Sequence, residues 1–158
     1  MIKIIAVGKI KEKSLQNMID EYLKRLSGFT KVKVIEVADE VIPANNSQAN
    51  DQKAMNVEGK RLLEQIKAKE FVILLDLHGE MIDSISLAQK LADLQTYQNS
   101  NWSFVVGGSL GLSQEIIERA DFRWKLSDLT FPHQLTRLIL VEQLYRTYKI
   151  NNNETYHK

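Results

Sequence analysis

The chain has 158 residues, 44% of them hydrophobic, and 21 Lys and Arg against 20 Asp and Glu leave a formal net charge of +1. That size fits one globular domain whose core holds without crosslinks. The absence of cysteine excludes disulfides, thiolate metal sites and a thiol nucleophile, and near-neutrality excludes a grip on nucleic acid through bulk charge. We expect one domain over residues 1–158, cytoplasmic, with no metal and no membrane partner. The apolar run Ile4 to Val7 is far too short for a signal segment, and nothing later approaches a membrane span.

The first strand is predicted at Ile2 to Val7. Gly8-Lys9-Ile10-Lys11-Glu12-Lys13 follows, with three lysines in five residues. Lys9, Lys11 and Lys13 are the best local candidates for RNA contact, although a charge run is more often a solvated loop. Ser14 can cap a helix that carries Leu15, Met18, Ile19, Tyr22, Leu23 and Leu26 on one face. A strand at Val32 to Val37 leads to Ala44 to Gln52 (ANNSQANDQ), which reads as a flexible loop, and to a helix over Asp51 to Ile66.

Phe71 to Asp76 and Trp102 to Val106 hold continuous apolar runs, as expected of central strands covered on both faces. A helix containing Leu87 to Leu94 lies between them, Ser113 and Glu115 resemble a helix start, and Phe122 to Leu126 is a shorter strand. This alternation predicts an α/β fold around a largely parallel sheet flanked by helices. In the last helix Leu135, Leu138, Ile139, Leu140, Val141, Leu144, Tyr145 and Tyr148 spread apolar surface over most of the circumference. Such a helix needs cover on several sides, and the second subunit of a homodimer is the expected cover beyond the sheet.

Gly107-Gly108-Ser109-Leu110-Gly111 matches G-x-S-x-G between a strand and a helix, with Asp128 and His133 following in hydrolase order. The match is judged false, because the sheet is small for a hydrolase and no HGGG-type oxyanion motif lies upstream. No G-K-[ST] follows the glycines, and Val106 stands where a dinucleotide fingerprint needs its first glycine. What survives is physical: glycines beyond a central strand let a ligand approach the backbone. Ligands of open parallel sheets bind beyond the carboxyl ends of the strands, where Gly107-Gly108, Asp76 to Gly79 and Ser127 to Phe131 would lie. Pro132 suits the first turn of the last helix, and His133 and Arg137, one turn apart, point the same way. The tail Asn151 to Lys158 is polar enough to fray, yet its Tyr156, His157 and Lys158 would also suit stacking on a base and contacting a phosphate.

AVGKIKEK, VILLDLHG, FVVGGSLGL, LSDLTFPHQLTRLILVEQLYR and the terminal TYHK occur in this order along the whole chain. Together they closely resemble the RlmH family of SPOUT-class methyltransferases; each motif is weak alone, but the ordered set is highly specific. The resemblance implies a single-domain α/β knot, with a C-terminal segment threaded through a loop as a trefoil knot, against the rule that chains avoid knots. It implies S-adenosylmethionine as cofactor, held by Leu75, by Gly107 and Gly108, and by Leu126, Ser127, Asp128, Leu129, Thr130 and Phe131. It further implies a homodimer with its site at the subunit interface, and methylation of N3 of a pseudouridine in helix 69 of 23S rRNA on assembled ribosomes.

His133, Arg137, Tyr156, His157 and Lys158 are the resulting catalytic candidates. His157 would serve as base or orienter, Lys158 and Arg137 as electrostatic stabilisers and Tyr156 as a stacking platform, with the tail reaching into the partner's pocket. The chain departs from the family at Leu110, where a polar residue is common. It also carries Lys158 where some relatives have arginine, which keeps the charge without the planar fork. The alternative reading is a knotted ribosome- or RNA-binding module that has lost transfer activity.

Overall fold

Strands form where the apolar runs are densest. β1 (Ile2–Val7), β2 (Val32–Val37), β3 (Phe71–Met81), β4 (Trp102–Val106) and β5 (Phe122–Lys125) alternate with α1 (Lys13–Leu26), α2 (Gln48–Leu63), α3 (Ser84–Tyr97), α4 (Gln114–Arg119) and α5 (His133–Asn151). The computed structural model describes residues 1–42, 44–45, 47–97 and 101–158. All strand pairings are parallel, in the order β2-β1-β4-β3-β5. β1, β4 and the first half of β3 are buried on both faces, whereas the edge strand β2 is half exposed, which suits its polar Lys33 and Glu36.

Two apolar layers enclose the sheet. Ile4, Ala6, Ile73 and Phe104 face α1, α3 and α5, while Ile5, Val72, Leu74 and Val105 face α2 and α4. Leftward connections of the sheet thus run over one face and rightward ones over the other, so every crossover has the same hand. α5 packs against α1, α3 and β4, and its Leu140, Val141 and Leu144 are almost fully buried. Leu138, Ile139, Tyr145 and Tyr148 are half-buried and Leu135 is exposed, so the chain itself covers part of the apolar circumference.

Several local expectations are corrected. α1 starts two residues earlier than a Ser14 cap would allow: Glu12 occupies the N-cap position and makes no side-chain capping bond. α2 begins at Gln48, where Ser47 accepts the Asn50 N–H at 3.2 Å, so the loop predicted over Ala44 to Gln52 is mostly helix; its Asn46, like Pro43, lies outside the described residues. Pro132 is the N-cap of α5, not part of its first turn. β3 runs past Asp76 to Met81 because the register against β5 shifts between Leu75 and Glu80, an irregularity that lets pairing resume.

At the opposite end of the sheet Lys3, Glu70 and Ser103 form a buried polar cluster. Lys3 Nζ lies 2.7 Å from Glu70 Oε1, and the Ser103 hydroxyl donates to Glu70 Oε2 at 2.8 Å. Burial alone would raise the Glu70 pKa; Lys3, the Ser103 hydroxyl and the Lys67 N–H outweigh it and hold the carboxyl below its ordinary value. Its stabilisation is thus complete above the unfolded carboxylate pKa and is lost as pH falls through the lower folded value. Glu70→Gln is expected to destabilise the protein by about 2–3 kcal/mol at neutral pH. Urea denaturation should show this difference shrinking below roughly pH 4.

Candidate ligand pocket at the carboxyl ends of the strands

β4 ends at Val106, and the chain turns at once through Gly107 and Gly108. The Gly111 N–H closes the turn on Gly108 O at 3.2 Å, with Gly111 at φ +99°, a conformation that favours glycine. Ser113 then caps α4 by accepting the Ile116 N–H. The two leading glycines are there for space: a Cβ on Gly107 would come within 2.7 Å of Leu112 Cδ2, and one on Gly108 within 3.0 Å of Val7 Cγ1.

Next to this turn, the irregular part of β3 is clamped by Asp76. Its Oδ1 accepts the His78 N–H at 2.9 Å and its Oδ2 accepts from Arg123 Nε at 2.6 Å. The β5–α5 connection folds on itself as Ser127 Oγ accepts the Leu129 N–H at 3.0 Å. These three segments enclose a cavity of about 390 Å³, the size of small-molecule sites. Its wall is mainly apolar, through Leu75, Val106, Leu126, Leu129 and Phe131. Trp124 also contributes, and its buried indole N–H has no hydrogen-bond partner among the described residues.

Of the residues expected to hold a cofactor, Leu75, Gly107, Gly108, Leu126, Ser127, Leu129, Thr130 and Phe131 line this cavity. Asp128 does not; its side chain is 77% exposed and pairs with Lys125. His133, the first residue of α5, also lines the cavity. Burial lowers the pKa of its imidazole, as do the charges of Arg137 and Lys11, against a smaller raising effect of Asp39. Lys9, Lys11 and Lys13 are exposed, and the Lys11 N–H donates to Gln134 Oε1 at 3.2 Å, so the lysine loop abuts the start of α5.

Arg137 is not brought to the cavity. It is 3% exposed, its Nη1 lies 2.6 Å from Glu36 Oε2, and its Nη2 donates to Val7 O at 3.1 Å and to Gly8 O. These contacts make it a clamp between α5 and the ends of β1 and β2. Tyr156, His157 and Lys158 do not line the cavity of their own chain. The tail folds back on α5 instead of fraying: Tyr156 donates to Glu142 Oε1 at 3.1 Å and meets the Tyr145 ring edge-on at 4.9 Å, while His157 Nδ1 is 3.1 Å from Arg146 Nη1. Glu142 and Arg146 stand nine and thirteen residues along α5 from His133, roughly 14 and 20 Å at the helical rise.

Ser109 is exposed and outside the cavity wall, and among the described residues no hydrogen bond joins it to His133, so nothing in the structure supports the hydrolase reading. Met55 and Trp124 line the cavity without having been singled out, and His78 does so within the segment Asp76 to Gly79 that was expected there. His78 carried a signal, since it follows the strand in VILLDLHG; Met55 on α2 and Trp124 inside β5 carried none.

A parallel α/β sheet with a glycine turn and a small-molecule cavity beyond its carboxyl edge defines a ligand-binding α/β protein of the open-sheet class. Within that class the chain belongs to the SPOUT methyltransferase family, whose description, "Predicted SPOUT methyltransferase", matches residues 1–157. It is 50% identical over 157 residues to the "Ribosomal RNA large subunit methyltransferase H" of Alkaliphilus oremlandii, covering 99% of each chain. Proteins of the same name from Ruminiclostridium cellulolyticum and Clostridioides difficile are each 49% identical over 157 residues, again with 99% of each chain covered.

Proposed function

We propose that the protein transfers a methyl group from S-adenosylmethionine to large-subunit ribosomal RNA, at N3 of a pseudouridine in helix 69 of the 23S molecule, on assembled ribosomes. The observation that carries this reading is the cavity itself. Three segments that resemble the family, ending in Leu75, in Gly107-Gly108 and in Leu126 to Phe131, converge on one space of ligand size. The residues fit the cofactor: the apolar wall suits a purine, Gly107 and Gly108 put backbone on that wall, and the Trp124 N–H, without a partner among the described residues, offers a donor. When bound there, the cofactor supplies a methyl group already activated by its sulfonium.

The protein then has two tasks, to hold the RNA base in line and to take the proton from N3. His133 is suited to the second, because burial keeps its imidazole neutral and able to accept a proton at neutral pH. Lys9, Lys11 and Lys13, exposed beside the start of α5, would contact RNA phosphates. Tyr156, His157 and Lys158 would act in the pocket of a second subunit, which requires a homodimer. The family fold further implies a single cytoplasmic domain over residues 1–158, with the β5–α5 segment threaded as a trefoil knot.

If His133 is the base, activity requires its neutral form and is lost as pH falls through its lowered pKa. The acid limb of kcat should then lie below the ordinary histidine value of about 6.5, and His133→Gln should remove that limb and lower kcat roughly 10²-fold or more. A limb that survives in His133→Gln assigns the proton to another group, His157 first. Isothermal titration with S-adenosylmethionine tests the cofactor reading. Gly108→Val should abolish binding, whereas a protein that never binds the cofactor would be a ribosome-binding module without transfer.

A further inference from the structure

Glu58, on α2, is only 4% exposed. Its Oε2 accepts the Glu40 N–H at 2.9 Å, but its buried Oε1 has no hydrogen-bond partner among the described residues. A buried carboxyl oxygen left unpaired is destabilising and calls for a reason. The free oxygen lies behind the glycine turn: a Cβ on Gly108 would be 3.2 Å from it. Gly108 lines the cavity, so glycine backbone is what separates the cavity from this carboxyl group.

The cavity's own acid offers no comparable charge, since Asp76 is engaged by Arg123 and by the His78 N–H. Around Glu58, burial chiefly raises its pKa; Asp39 and Glu40 on the β2–α2 connection add to this, while the Glu40 N–H and Arg61 on α2 oppose it. His78 and His133 are the imidazoles on the cavity wall. The group behind Gly108 is therefore an acid whose pKa is raised above the ordinary carboxyl value, chiefly by its burial.

We propose that Glu58 is a specificity-determining residue that makes the pocket prefer a positively charged ligand, its carboxyl group behind Gly108 supplying the counter-charge. The proposal rests on the reading of this cavity as the S-adenosylmethionine site. That cofactor carries a sulfonium and an ammonium against one carboxylate, for a net positive charge, whereas its demethylated product S-adenosylhomocysteine is neutral. A cation in the cavity stabilises ionised Glu58 and so lowers its pKa. By linkage, binding of the cation then releases proton from Glu58 and tightens as pH rises through the titration of Glu58. The neutral product gains less from the same titration.

The test is calorimetric binding of both ligands to the full-length protein from about pH 5 to about pH 8, for the native sequence and for Glu58→Gln. Affinity for S-adenosylmethionine should rise roughly three- to tenfold across this range in the native protein, more steeply than for S-adenosylhomocysteine. Glu58→Gln should remove the difference in steepness, any remaining slope being common to the two ligands. Equal slopes for native protein and variant overturn the proposal while leaving the cofactor site intact. Should the variant fail to fold, parallel profiles for the two ligands on native protein overturn it equally. A native protein that binds neither ligand at any pH overturns the cofactor reading and this proposal together.

Discussion

Arg137→Leu is expected to destabilise the protein by about 3 kcal/mol, the scale of breaking a buried charged contact. The guanidinium joins three groups from two strands: the Glu36 carboxylate and the carbonyls of Val7 and Gly8. Leucine fills part of the volume but leaves those carbonyls without a donor and Glu36 without its counter-charge. For a chain of 158 residues, the loss corresponds to roughly 6–12 °C in Tm. Arg137→Lys should recover less than half of it, since an ammonium cannot reproduce the planar fork. Because Arg137 sits one turn after His133, cofactor affinity should weaken as well, through displacement of the start of α5. Calorimetric unfolding checks the first effect and ligand titration the second; a Tm within 2 °C of the native value would contradict the clamp.

Removing Tyr156, His157 and Lys158 should produce the other large effect, a loss of methyl transfer by at least about 10²-fold. Within one chain the tail is only a clasp on α5: Tyr156 on Glu142 and Tyr145, and His157 beside Arg146. As a clasp it is worth about 1–2 kcal/mol, an aromatic edge contact plus a hydrogen bond to a carboxylate. A purely structural tail would therefore lower Tm by a few degrees and leave turnover near normal when measured well below Tm. A tail that serves a second subunit's pocket would instead lower kcat with cofactor affinity retained. Mixing the truncated protein with a His133→Gln variant then gives a sharper readout, because a hybrid dimer restores one complete site only if the tail acts across subunits.

Local chemistry explains what could be read before the structure. β1, β2 and β4 begin and end where their apolar or alternating runs do, and the glycine turn announced itself because glycine is a local signal of close approach. The family resemblance, carried by the ordered motifs, was also right. Features set by distant residues were not legible. The extension of β3 depends on pairing with β5 across a register shift. The strand order depends on which distant strands pair, and Trp124 and Met55 meet the cavity only through tertiary packing. Arg137 shows the limit most clearly: helical spacing placed it beside His133, but nothing in the spacing revealed that β1 and β2 supply acceptors that bury it. Composition misjudged the tail for a similar reason, since one tyrosine finding an aromatic partner outweighs seven polar neighbours.

The most direct test of the central claim is transfer of labelled methyl from S-adenosylmethionine to assembled ribosomes that carry or lack the helix 69 pseudouridine. Label should appear only in large-subunit RNA of ribosomes carrying the pseudouridine, and should disappear with Gly108→Val. Tight cofactor binding with no label in either ribosome, or equal label in both, would contradict it.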